Sequence, residues 1–173
     1  ATLVVTGCYS ETAARDTREA GADLVVANRD KDHLAEVLAE AGLLPTPDAA
    51  VAAPPAAALR TRAFVKVQDG CDHHCSYCIV TIARGPSRSR PAEQVVEEIR
   101  RLEGDGVAEA VLSGVHLGSW GRDLDGEGDL ARLVRRILAE TALPRLRLSS
   151  IEPWDVSEEL LDLLAEPRLL PHL

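Results

Sequence analysis

Three short apolar runs, AFVKV at 63–67, EAVLS at 109–113 and RLRLS at 145–149, are each followed by a loop and then by a stretch of helical spacing. This alternation restricts the fold more than any other feature. Each helix returns the chain so that the next strand can run in the same direction, which gives a parallel sheet. After the first strand, Pro91 suits the first turn of a helix whose apolar face is Val95, Ile99 and Leu102. Leu130, Leu133, Val134, Ile137 and Leu138 mark a second, strongly amphipathic helix. Asp155 with Glu158 makes a capping box for a last helix carrying Val156, Leu160 and Leu164. Three such units amount to half of a parallel (βα) barrel, which leaves a parallel edge to be paired. The loops after barrel strands carry chemistry, and here they are 68–90, 114–121 and 149–154.

Upstream, TLVVT at 2–6 and DLVVA at 23–27 read as strands, separated by a helix over 10–20. Leu34, Val37, Leu38 and Ala41 then fall on one helical face. This run predicts a small parallel α/β sheet, or part of one. Residues 43–60 have no periodicity and four prolines, so they read as a linker between two domains. At 46% hydrophobic the chain can bury a core, and no apolar run approaches the roughly 18 residues of a membrane span. Without a basic, apolar leader the expected location is cytoplasmic. The chain opens on Ala1 and contains no methionine, which suggests an internal segment of a longer protein.

The net charge of −9 argues against a general polyanion binder. Between Asp72 and Glu93, however, there is no carboxylate, while Arg84, Arg88 and Arg90 lie there with His73 and His74. A solvated loop would account for this, but the arginines directly follow a cysteine cluster, which favours a local anion site. Guanidinium forks match a carboxylate or a phosphate equally well. Aromatic residues are too few for an extended base-stacking platform.

Cys71, Cys75 and Cys78 have the spacing C-x3-C-x2-C. An odd number of cysteines without a secretory context makes a disulfide framework a poor reading. Structural zinc needs four ligands, so a zinc-stabilised nucleic-acid-binding module would have to recruit His73, His74 or the distant Cys8. Iron–sulfur clusters are held by closely spaced thiolates, and three of them leave one iron open to another ligand. Cys8, after a strand, reads locally as a buried thiol.

Cys71-x3-Cys75-x2-Cys78, with Tyr77 just before the last cysteine and a barrel strand before the loop, resembles the radical S-adenosylmethionine (SAM) superfamily. Within it, VKVQDGC, CSYCIV and ARGPSRSRP resemble the methylthiotransferases, as do VVTGCYSETA and ADLVVANRDK upstream. The resemblance implies two domains: 1–45 as the C-terminal part of the family's N-terminal domain and 62–173 as a truncated radical SAM partial barrel, joined by a linker at 46–61. It implies two 4Fe–4S clusters, one binding SAM through Cys71, Cys75 and Cys78, the other held partly by Cys8. The two other cysteines of that second site would lie upstream of Ala1, and an RNA-binding module would follow the chain's end.

By the same resemblance, one electron cleaves SAM to a 5′-deoxyadenosyl radical, and a second SAM supplies the methyl group. Besides Tyr77, the expected SAM contacts are Ser113 and Gly114 in LSGVHLGSWG, with Ser150 and Glu152 in SSIEP. Each of these stretches reads locally as an ordinary turn or polar loop as well. The expected partners are tRNA, at its anticodon region, and a reductant such as a flavodoxin or ferredoxin. GVHLGSWGRDL and SSIEP resemble the branch acting on threonylcarbamoyl-adenosine in tRNA. Branches acting on isopentenyl-adenosine or on a ribosomal-protein aspartate are the alternatives.

Overall fold

A computed structural model describes residues 1–44 and 61–171. Of the expected linker, only Leu43, Leu44 and Thr61 lie within the described residues. Contacts gather the chain into two compact units that do not follow its order. One joins the N-terminal residues to Cys71–Pro86; the other joins the segment ending at Gly70 to Ser87–Leu173.

In the first unit, β1 (Val4–Thr6) pairs in parallel with β2 (Leu24–Val26), with Val5 opposite Val25. The single helix expected over 10–20 is two: α1 (Cys8–Thr12) and α2 (Ala14–Glu19), broken at Ala13 where φ is −139°. Neither proline nor glycine marks that break in the sequence. Buried Ser10 ties α1 to the sheet, its hydroxyl lying 2.7 Å from the Gly7 carbonyl and 2.8 Å from the Val26 carbonyl. A 3-10 turn (Asn28–His33) leads into α3 (Leu34–Glu40), none of whose residues is fully buried, so the apolar face expected there is only partly covered. A short helix, α4 (Val80–Arg84), stands inside what the sequence presents as loop and packs against α1 and the 3-10 turn.

The second unit holds the three expected parallel strands: β3 (Arg62–Lys66), β6 (Glu109–Ser113) and β7 (Arg145–Leu148), in the order β3-β6-β7. Two strands of two residues precede β6 in the chain: β4 (Gln68–Asp69) and β5 (Arg88–Ser89) pair antiparallel, closing the base of the cysteine-bearing excursion. Strands so short leave no periodicity to read in the sequence.

Alternation decides the two faces of the parallel sheet. Val65, Ala110, Leu112, Leu146 and Leu148 are buried in one core with residues of α5 (Ala92–Gly104) and α6 (Leu130–Glu140). Phe64, Val111 and Arg147, aligned across the strands, alternate with them, and Phe64 is exposed. Helix α5 contributes Val95, Val96 and Ile99, and α6 contributes Leu130, Leu133, Val134 and Ile137. Each such side chain stabilises the fold by about 1.5–3 kcal/mol relative to exposure. Pro91 sits at the N-cap of α5, one residue before the helix. Gly106, at φ +81°, ends that helix in a Schellman arrangement: its own N–H reaches Glu103 and that of Val107 reaches Leu102. The outer edge of β7 is paired locally, since Leu146 bridges Leu169.

The last helix, α7 (Glu158–Leu163), corrects the expected capping box. Its N-cap is Ser157, whose hydroxyl accepts from the Leu160 N–H at 3.1 Å. Asp155 closes an earlier 3-10 turn (Pro153–Asp155) and serves elsewhere.

Where the three parallel strands begin, Glu109 is buried among arginines: Arg62 at 2.8 Å, Arg147 at 3.0 Å and Arg145 at 3.5 Å. Burial by itself would raise its carboxyl; the hydrogen bonds and positive charge of Arg147 and Arg62 outweigh that and hold it below its ordinary value. Glu109→Ala is expected to cost about 1–2 kcal/mol in urea unfolding, less than a fully buried ion pair because two of the arginines stay half exposed. With the folded pKa depressed, this contribution is complete above the unfolded value of about 4.3 and fades as pH falls through the folded one. The parent's stability should therefore drop more steeply than the variant's below that pH.

Candidate functional site

The four cysteines all belong to the first unit, and all four thiols are free. Cys71 and Cys78 are partly covered and Cys75 is exposed. The loop that carries them is shaped by its own backbone. The Cys71 N–H donates to Gly85, the Cys78 N–H to Cys75 at 3.0 Å, and the Thr81 hydroxyl to the His73 carbonyl at 2.8 Å. The His73 N–H donates to the Cys71 sulfur at 3.4 Å. Cys8 opens α1, and α1 packs on α4, which starts two residues after Cys78. The ring of Tyr77 is exposed.

These donors fit an iron–sulfur cluster better than zinc. Tetrahedral Zn–S bonds of about 2.3 Å would bring the sulfurs to about 3.8 Å from one another. Among the described residues, the group of three metal-capable side chains drawn within 4.8 Å is His116, Glu152 and Asp155, not the cysteines. Three thiols on one short loop suit an iron–sulfur cluster, and three ligands leave it an open position.

The other expected contacts lie in the second unit. Ser113 ends β6, with its hydroxyl 3.5 Å from the Val65 carbonyl, and Gly114 follows it. A Cβ on Gly114 would lie 3.0 Å from Gln68 Oε1 and 3.1 Å from the Leu117 Cα, so close packing supplies a reason for this glycine. Ser150 is exposed and Glu152 partly so. Of these four residues only Glu152 is drawn into a cluster, 3.9 Å from His116 Nε2. Arg90, one of the arginines expected to meet an anion, is engaged by Glu98 at 2.7 Å and the Lys66 carbonyl at 2.8 Å.

Polar side chains to which the sequence assigned no part in the site lie beside these positions. His116 is 4% exposed and its ring meets Asp155 at 2.6 Å; Arg122 holds the other Asp155 oxygen at 2.5 Å. Gly118 makes room for this pair, since a Cβ there would fall 2.3 Å from the Asp155 Cβ. Gln68, 1% exposed, accepts from the His116 N–H at 2.8 Å. The signal in the sequence was slight: one amide in an apolar run, and one aspartate two residues too early to cap α7. In the first unit, the buried Asn28 Nδ2 has no partner among the described residues.

The Radical SAM superfamily profile matches residues 65–172, more than half of the chain. The chain belongs to the radical SAM superfamily. Curated relatives carry a narrower name. A threonylcarbamoyladenosine tRNA methylthiotransferase of Thermotoga maritima is 32% identical over 100% of this chain and 42% of its own length. Its namesake in Rickettsia prowazekii is 40% identical over 65% of this chain and 27% of its own. A tRNA-2-methylthio-N(6)-dimethylallyladenosine synthase of Staphylococcus aureus is 39% identical over 65% of this chain and 22% of its own. The chain thus spans less than half the length of these relatives. Among its described residues, no helix is long and apolar enough to cross a membrane.

Burial alone would raise the Asp155 carboxyl, but hydrogen bonds from His116 and Arg122 prevail and hold it below the usual aspartate range. Its contribution to stability is accordingly full above about pH 3.9 and lost as pH falls through the lower folded value. Gly118→Ala should lower stability by about 1–3 kcal/mol, because the methyl group must displace a buried carboxylate from both partners. Thermal unfolding at neutral pH and near pH 3 checks this, and the deficit should shrink at the lower pH.

Proposed function

We propose that the protein containing this chain is a tRNA methylthiotransferase, adding a methylthio group at carbon 2 of threonylcarbamoyl-adenosine beside the anticodon. The observation that carries this reading is the Cys71-x3-Cys75-x2-Cys78 loop following the first strand of a parallel sheet, in a chain whose curated relatives bear methylthiotransferase names. Residues 62–173 are read as the catalytic partial barrel and residues 1–45 as part of a preceding domain.

In this reading Cys71, Cys75 and Cys78 hold a 4Fe–4S cluster. The cluster, when bound, supplies the electron for reductive cleavage of SAM. Ser113 and Gly114 take the methionyl end of SAM, Ser150 and Glu152 offer acceptors to its ribose hydroxyls, and Tyr77 offers an exposed ring. Cys8 contributes to a second cluster that serves sulfur transfer. The packing of α1 on α4 supports that role, because it brings the helix begun by Cys8 against the helix that follows Cys78. A flavodoxin or ferredoxin is the expected electron source, and the anticodon region of tRNA the macromolecular partner. The threonylcarbamoyl branch is favoured by GVHLGSWGRDL and SSIEP and by relatives so named. A relative named for dimethylallyl-adenosine makes that base the second reading.

Deleting the gene and analysing digested tRNA by mass spectrometry tests the substrate. The 2-methylthio form of threonylcarbamoyl-adenosine should disappear while its precursor accumulates. Loss from the isopentenylated nucleoside instead would transfer the protein to the second branch.

The two cysteine sites separate in the full-length protein after anaerobic reconstitution. Cys75→Ala should abolish 5′-deoxyadenosine formation, since two thiolates hold the cluster poorly. Cys8→Ala should retain SAM cleavage and lose methylthio insertion. Parent-level methylthiolation by the Cys8 variant would make that residue an ordinary, partly covered thiol.

A further inference from the structure

Gln68 stands three residues before Cys71, yet its side chain is spent entirely within the second unit. Its amide nitrogen lies 2.8 Å from the Gly70 carbonyl, 2.9 Å from the Ser87 hydroxyl and 3.1 Å from the Asp69 carbonyl. Its oxygen accepts the His116 N–H at 2.8 Å. Every polar atom of a fully buried amide is thereby used, and a buried amide deprived of partners is costly.

The chain of contacts continues through His116. Its carbonyl accepts the Ser119 hydroxyl at 2.8 Å, and Ser119 meets Ser87 at 3.2 Å, so the two loops are joined at a second point. The His116 ring passes the connection to Asp155, which Arg122 holds from its other side. The segments following β3, β6 and β7 are thus linked in one buried polar relay. The residues proposed to receive SAM sit along it: Gly114 packs on Gln68, Ser113 precedes Gly114, and Glu152 lies beside the His116–Asp155 pair.

We propose that Gln68 and His116 are positioning residues, a buried relay that holds the ends of β6 and β7 in the arrangement that receives SAM. The inference rests on the reading that these strand ends bind SAM. The Gln68 side chain bonds Asp69, Gly70, Ser87 and His116, all outside residues 71–86, so cluster assembly is expected to be independent of it. Loosening the relay makes the ligand order the loops itself, which weakens binding more than it slows the reaction at saturation.

The test uses the full-length reconstituted protein and Gln68→Met, which keeps the volume and removes every hydrogen bond. Gly118→Ala is the second variant; it disturbs the relay from the Asp155 end without removing a polar group. Without SAM, deuterium uptake should rise over both 113–121 and 149–156 in Gln68→Met. With SAM, the dissociation constant and KM should rise about tenfold, the equivalent of one good hydrogen bond. The rate at saturating SAM and the iron content should stay near those of the parent. Parent-like uptake over these loops, or lost iron with unchanged SAM affinity, overturns the relay. So does a fall in kcat with unchanged KM. If Gln68→Met does not fold, Gly118→Ala decides: parent-like uptake and affinity in that variant overturn the proposal. A parent protein that binds no SAM would count against the proposed function, while deuterium uptake, measured without SAM, decides the relay separately.

Discussion

The burial of alternate residues of β3, β6 and β7 in one core with α5 and α6 is the constraint on which the second unit depends. Val65 and Leu112 are fully buried, and so is Leu148. A shift of register by one residue would turn this set outward and bring Phe64, Val111 and Arg147 under the helices. That penalty fixes which residues end each strand. Ser113 and Gly114 reach the loop end of β6 because Ala110 and Leu112 are held in the core.

Polar residues then complete what the core begins. Loops after parallel strands carry backbone groups that no neighbouring strand satisfies, and burying them requires partners. Gln68 supplies these at the end of β3, His116 and Asp155 between the ends of β6 and β7. Gly114 and Gly118 matter for space rather than for an unusual backbone conformation, since side chains of Gln68 and Asp155 occupy the volume a Cβ would need. The opposite end of the sheet is secured differently, by one buried carboxylate among three arginines. Buried polar contacts are thus found at both ends of the sheet.

Charge is distributed by the same economy. The net charge of −9 coexists with an acid-free stretch from 73 to 92, but Arg90 in that stretch is already matched by Glu98 from α5. The local excess of arginine in sequence is therefore reduced in space at Arg90. Composition could not show this, because Glu98 is a helical turn beyond the stretch and its pairing depends on where α5 starts.

The sequence by itself determined the periodic elements and the cysteine spacing. The strand at 109–113, the amphipathic run from Leu130 to Leu138 and the three-cysteine spacing were legible because each is a local pattern. The break at Ala13, the two-residue pair β4–β5 and helix α4 were not, since elements this short leave no period to detect. Asp155 shows what only the tertiary structure decided. Its neighbours in the chain made it a helix cap, while His116, 39 residues away, made it the buried anchor of a loop. Gln68 is the same case over 48 residues. Local sequence specifies which hydrogen bonds a residue can make, but only packing decides which partner arrives, because a buried polar group is claimed by whatever the core brings against it.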